Sequence, residues 1–231
     1  MPLFVTGTDT GCGKTVVSCA LLRALARTGI RAVGMKPVAT GAEREGERLI
    51  NKDVDALRAA SSTALPATMT NPYIFEPPCS PHIAAAQAGA PIELDRIASA
   101  YKACTEQAQE VVVEGVGGWR VPLGNDLWLD ELPRVLELPV LLVVGVKLGC
   151  INHAVLTAQA IEHGGAHLYG WVANVLEPSL FELEAVIDTL TAHIPARRLA
   201  VLDWAPGATP DERAPHLAAL AATLSKRAPP A

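Results

Sequence analysis

Two patterns alternate along the chain. Short runs of apolar, largely β-branched residues recur at PLFVT (2–6), IRAVGMK (30–36), QEVVVEGVGG (109–118), PVLLVVGVK (139–147), HLYGWVANV (167–175) and RLAVL (198–202). Between them lie stretches with helical spacing: KTVVSCALLRALART (14–28), a segment opening with DVDALRAA near residue 53, PIELDRIASAYKACTEQAQ (91–109), and residues 151–163, 180–191 and 211–226. In 91–109, Leu94, Ile97, Ala98, Tyr101 and Cys104 fall on one helical face. The strand runs are continuous rather than alternating, as burial on both faces of a parallel sheet requires. Strand–helix alternation throughout predicts a single doubly wound α/β domain over residues 1–231, with a mostly parallel central sheet flanked by helices. Residues 66–81 carry five prolines and read as an irregular surface excursion. The tail at 227–231 is expected to fray.

Composition narrows this picture. With 231 residues, half of them hydrophobic, the chain can bury a large core in one domain. A net charge of -5 disfavours nucleic acid as a partner. Five cysteines with no Cys-x-x-Cys pair disfavour a disulfide framework or a zinc knuckle. The start has no basic region ahead of an apolar stretch, and the apolar run 138–146 is too short to span a bilayer. The expectation is a cytoplasmic enzyme with no membrane partner.

Chemistry enters at GTDTGCGKT (7–15), between the first strand and the first helix. Gly13-Lys14-Thr15 ends as a phosphate-binding loop does, but five residues separate Gly7 from Gly13 instead of four. The context is what such a loop needs. Backbone N–H groups line a concavity, the helix N-terminus adds partial positive charge, and Lys14 adds a full one. Thr15 offers a hydroxyl to Mg²⁺. Asp9 stands where partition-type and metal-chaperone NTPases carry a second lysine. The nearest approach to a guanine-reading Asn-Lys-x-Asp is Asn51-Lys52-Asp53-Val54-Asp55, which has the wrong spacing. The nucleotide is therefore expected to be ATP.

Two further phosphate-side groups follow from position. Glu114 ends a buried strand just before Gly115, Gly117 and Gly118, where a carboxylate can hold Mg²⁺ and glycines let backbone approach phosphates. Asp53 opens a helix, where it can serve the metal, cap the helix, or do both; Asp55 competes for the metal role. Lys36 ends the second strand, and spacing alone leaves it open between a crevice lysine and a snorkelling surface one. Cys12 and Cys150 read as small residues in ligand loops, and the four tryptophans as core or interface.

Taken together, FVTGTDTGCGKT (4–15), GMKPVATG (34–41), NPYIFEPPCSPHIAA (71–85), VVVEGVGGWRVPL (111–123), LPVLLVVGVKLGCINHAVLTAQAI (138–161) and GWVANV (170–175) closely resemble dethiobiotin synthetase, a family of P-loop NTPase type. The family's phosphate loop shares the five-residue spacing. The resemblance implies ATP-dependent carboxylation and ring closure of 7,8-diaminononanoate through a carbamate and a carbamic-phosphoric anhydride. It implies Lys36, Lys14 and Thr10 as catalytic residues. It implies nucleotide contacts from Gly11, Cys12, Gly13, Lys14, Thr15, Val16, Asp53, Glu114, Gly115, Val116, Gly117 and Asn174, with Asn174 on adenine. Mg²⁺ would be held by Thr15, Asp53 and Glu114. Thr40 would meet the diamine or carbamate, and Gly149, Cys150, Ile151 and Asn152 of a second subunit its carboxylate, so a homodimer with shared sites is expected. Gly11 departs from relatives with glutamate there, similarity fades past residue 176, and His82 is open between a substrate contact and a local structural role. A different class remains as the rival: an NTP-switched partner-binding or metal-delivery ATPase, against which Asp9 and the lack of paired metal-binding cysteines argue.

Overall fold

A computed structural model describes residues 1–124 and 126–226. The six apolar runs form one sheet. Its strands are β1 (Leu3–Gly7), β2 (Ala32–Met35), β3 (Glu110–Glu114), β4 (Val140–Val146), β5 (Leu168–Val175) and β6 (Arg198–Leu202). They lie in the order β6-β5-β4-β1-β3-β2, and every pairing is parallel. The principal helices are α1 (Lys14–Arg27), α2 (Lys52–Ala60), α3 (Pro81–Ala88), α4 (Leu94–Gln107), α5 (Cys150–His163), α6 (Leu183–His193) and α7 (Ala218–Ser225).

The continuous apolar runs are explained by the two cores. Phe4, Val111, Val113, Leu142, Val144 and Trp171 point to one face and pack with residues of α3, α4, α5 and α6. Leu3, Val5, Val112, Leu141, Val143 and Val172 point to the other and pack with α1, α2 and α7. Successive residues of one strand thus serve opposite cores, which is why the runs are mostly apolar; buried polar residues such as Thr6, Glu110, Glu114 and Asn174 are the exceptions. On the face of α4 read from spacing, Ile97 and Cys104 are buried and Leu94, Ala98 and Tyr101 pack partly buried against the same core. Trp119 and Trp171 are core residues, while Trp204 is half exposed.

Several boundaries and one whole segment differ from expectation. The run 109–118 ends as a strand at Glu114; Gly115 makes one further bond toward β1, and the chain turns through Gly117 at φ 67°. The helix expected over 211–226 is broken into Pro210–Arg213, a 3₁₀ turn at Ala214–Leu217, and α7. The charged loop after β2 contains an antiparallel hairpin, Glu43–Glu45 with Arg48–Ile50. The proline-rich excursion is built rather than irregular. Ala67–Thr70 is a helical turn, Tyr73–Ile74 pairs in parallel with Val38–Ala39, and α3 begins at Pro81. Pro81 sits in the first turn of α3, where its missing N–H costs nothing. The expected fraying at 227–231 lies outside the described residues.

All six strands run the same way, so the loops after their C-terminal ends share one edge of the sheet. That edge carries 8–13 after β1, 36–41 after β2, 115–121 after β3 and 147–149 after β4.

Candidate active site

A cavity of about 740 Å³ opens at this edge. Its walls include Thr10, Gly11, Gly13, Lys14, Thr15, Val16, Lys36, Thr40, Asp53, Val116 and Gly117. The loop after β1 enters α1 through Gly13, whose φ of 98° is a left-handed conformation that suits glycine. A side chain there would also collide with Asn174, since an added Cβ would lie 2.0 Å from its Nδ2. Asn174 is buried and donates from Nδ2 to the Cys12 carbonyl at 3.0 Å, so it braces the loop from β5. One of its two N–H donors serves the loop, which leaves the acceptor Oδ1 and the second N–H for other contacts. Cys12 is buried beneath the loop, and Gly115 continues the sheet by donating to the Val5 carbonyl at 2.9 Å. Asp9 accepts from the Thr10 N–H at 2.7 Å, so its carboxylate shapes its own turn.

The charged groups form two connected sets. Lys14 folds back, donating to the Asp9 carbonyl at 2.9 Å and to the Gly117 carbonyl. Burial depresses the pKa of its ammonium below the ordinary lysine value, with Lys36 acting in the same direction. Lys36 donates to Asp53 Oδ2 and to Glu114 Oε1, each at 2.7 Å. Burial would lower the Lys36 pKa, but Glu114 and Asp53 outweigh it, and the ammonium is held above its ordinary value. Burial would raise the Asp53 pKa, but Lys36, aided by a hydrogen bond from Thr15, brings it below the ordinary value. Glu114 Oε1 also accepts from the Thr15 hydroxyl at 2.9 Å, while the buried Oε2 has no hydrogen-bond partner.

The two candidate aspartates separate clearly. Asn51 caps α2, its Oδ1 accepting from the N–H groups of Asp53 at 3.1 Å and Val54 at 3.3 Å. Asp53 is therefore free of the capping role and reaches into the cavity, whereas Asp55 is exposed and outside it. Thr15, Asp53 and Glu114 converge with an unpartnered buried carboxylate oxygen, which is the donor set of a small hard cation. Among the described residues no group of three or more His, Cys, Asp or Glu side chains could hold a metal by itself. A site of two carboxylates and a hydroxyl suits Mg²⁺ shared with phosphate oxygens.

Some residues fall elsewhere. Gly149, Cys150, Ile151 and Asn152 lie at the start of α5, outside this cavity, and Ile151 and Asn152 are exposed. Leu148 beside them is 84% exposed. His82 lines a separate hollow of about 240 Å³, its Nδ1 3.0 Å from the Ser80 hydroxyl. Conversely, Pro78, Cys79, Ser80, Pro81 and Val121 wall the main cavity without having been singled out, while Gly118, read with its neighbouring glycines, walls it as expected. The signal for four of them was the PPCSP cluster, whose prolines mark fixed backbone but not which surface it covers.

The AAA domain family model matches residues 2–212. The ATP-dependent dethiobiotin synthetase BioD 1 of Escherichia coli strain K12 is 50% identical over 201 residues, covering 87% of this chain and 89% of that protein. The ATP-dependent dethiobiotin synthetase BioD of Aromatoleum aromaticum is 47% identical over 214 residues, covering 93% and 95%. Among solved structures, the MinC:MinD cell division protein complex of Aquifex aeolicus aligns with a TM-score of 0.58 at 12% identity, over 99% of this chain and 97% of that one. A ParA family ATPase from Chlorobium tepidum aligns at 0.55 and 10% identity, over 98% and 94%. These two likenesses speak for the fold.

Proposed function

We propose, because the chain belongs to the family of ATP-dependent dethiobiotin synthetases, that it closes the ureido ring of dethiobiotin from 7,8-diaminononanoate, CO₂ and ATP in the cavity between the phosphate loop and residues 78–81. The observation that carries the site assignment is that Lys14, Lys36, Thr15 and Asp53 share one cavity wall above Glu114.

The chemistry fits a site rich in fixed charge. One amine nitrogen attacks CO₂ and loses a proton, giving a carbamate. A carbamate oxygen attacks the γ-phosphorus, and the bond to the bridging oxygen of ADP breaks. The second amine attacks the carbonyl carbon of the resulting anhydride, and phosphate departs. Each approach brings anion to anion, so the protein must neutralise charge and align reactants. The reaction so written needs no nucleophile from the protein. The loop amides and Lys14 hold the β- and γ-phosphates. Lys36 faces the carbamate and the transferred phosphoryl group, and Thr10 and the Thr40 hydroxyl orient the diamine end. Val16, Val116 and the glycines of 11–13 and 115–117 flank the nucleotide, and Asn174 offers Oδ1 to adenine. Thr15, Asp53 and Glu114 would hold Mg²⁺, which when bound neutralises phosphate charge.

The same reading makes the working form a homodimer. The substrate's carboxylate lies far from its amines, and residues 149–152 present helix N–H groups that suit an anion. They stand outside this chain's own cavity, beside the exposed Leu148, Ile151 and Leu156, so a second copy supplies them. Among the described residues no helix is long and apolar enough to cross a membrane, and all five cysteines are free, which suits a reducing cytoplasm.

The test is mass spectrometry of the product after incubation with ATP, Mg²⁺, bicarbonate and the diamine. A ureido product of dethiobiotin's mass is expected. ADP release without it would transfer the protein to the class of nucleotide-switched ATPases.

A further inference from the structure

The segment from Lys36 to Thr40 carries one proposed catalytic group at each end. Both ends are held by the side chain of a buried asparagine. Asn71 donates from Nδ2 to the Lys36 carbonyl at 2.6 Å and to the Tyr73 carbonyl at 3.0 Å. Asn51 donates from Nδ2 to the Thr40 carbonyl at 3.1 Å while its Oδ1 caps α2. Between these points the segment is laced to 70–75: the Lys36 N–H reaches the Thr70 carbonyl at 2.8 Å, and the Phe75 N–H the Ala39 carbonyl at 2.9 Å.

A helix cap requires an acceptor alone, which serine or aspartate supplies equally. Asparagine at 51 adds a donor, and that donor goes to the substrate-side segment rather than to the helix. One side chain therefore ties Thr40 to the turn that presents Asp53. Asn71, in turn, joins the end of β2 to the proline-rich segment that walls the cavity, and sets the point from which the Lys36 side chain departs. Neither amide lines the cavity.

We propose that Asn51 and Asn71 are positioning residues for the reaction: Asn71 sets Lys36, and Asn51 sets Thr40 and Asp53 relative to one another. The proposal rests on the reading above in which Lys36 and Thr40 face the reacting atoms.

Steady-state kinetics with ATP, Mg²⁺, bicarbonate and the diamine test it, with melting temperatures measured alongside. Asn71→Ser removes the amide from the Lys36 carbonyl, and kcat should fall roughly tenfold while the KM for ATP holds. Asn51→Ser keeps a capping oxygen but cannot reach Thr40, so the KM for the diamine should rise roughly tenfold with the melting temperature and the KM for ATP near wild type. Should Asn71→Ser fail to fold, the Asn51 arm still decides. Wild-type kinetics in both variants, or losses of every parameter in step with the folded fraction, would overturn the clamp. Lys36→Met serves as the reference. If it is slow while both asparagine variants are normal, only the clamp fails. If Lys36→Met is itself normal, the reading of Lys36 fails and the clamp with it.

Discussion

The chain uses one backbone device twice. After β1 a loop passes through Gly13 at φ 98° into the 14-residue helix α1, and after β4 a loop passes through Gly149 at φ 90° into the 14-residue helix α5. Neither helix has a side-chain cap, so both present bare N–H groups at the same edge of the sheet. Their surroundings differ. The first is enclosed: Lys14 and Cys12 are buried, Asn174 braces the loop, and Lys36, Thr40, Asp53 and residues 116–118 wall it. The second is bare: Leu148 is exposed, and a Cβ added at Gly149 would meet nothing within 4 Å. A helix N-terminus is anion-friendly anywhere, at about 0.3–1 kcal/mol when exposed. Walls, fixed lysines and excluded water turn it into a site. One junction has these within its own chain; under the proposed dimer, the other acquires them from a second copy.

The comparison can be broken in order of expected effect. Lys14→Ala should abolish ATP turnover, because on the proposed reading the loop loses its full charge toward the β- and γ-phosphates. Hydrolysis at the wild-type rate would reduce the enclosed junction to a turn. Lys36→Met should slow ring closure by about 3–4 kcal/mol in the barrier while nucleotide binding persists; weaker ATP binding with unchanged turnover would contradict its role. The two glycines should respond unequally. Gly13→Ala meets both a positive φ and Asn174, costing on the order of 1–3 kcal/mol for the backbone alone plus displacement of the brace. Gly149→Ala meets the same backbone strain alone, on the order of 1–3 kcal/mol. Thermal unfolding should rank them in that order, and equal losses would mean the bracing by Asn174 is idle. The smallest effect belongs to the metal side: Asp53→Asn should raise the Mg²⁺ requirement and Asp55→Asn should not, since only the former shares Glu114 and Thr15 as neighbours. A reversed ranking in a Mg²⁺ titration would move the metal site.

The same contrast explains what was legible in the sequence. The sheet was legible because burial on both faces leaves a continuous apolar run, as at 140–146. Lys14, Thr15 and Glu114 were legible because a strand end followed by glycines has few physical uses. The walls were not. Residues 78–81 approach the loop through pairing of Tyr73–Ile74 with Val38–Ala39, a contact that leaves no local periodicity. Helix α3 was hidden because PHIAAAQA has almost no polar face to set its phase. Asp53 could not be separated from Asp55 without seeing that Asn51, an amide misfit for a guanine motif, caps the helix instead. The bracing of the phosphate loop by Asn174 was not legible either, because it joins residues 162 positions apart.

Complementation between two disabled chains tests most directly that the two junctions meet across a dimer. Lys14→Ala disables the enclosed junction, and Gly149→Glu places a charge on the bare one, which should weaken diamine binding while leaving ATP binding alone. Each homodimer should be inactive at ordinary diamine concentrations. Unfolded and refolded together in equal amounts, half of the dimers would carry both variants, and in each of these one site has an intact loop facing an intact helix start. The mixture should therefore recover roughly a quarter of wild-type dethiobiotin formation. A mixture as inactive as its parents, or a monomer with full activity at working concentration, would contradict the shared site.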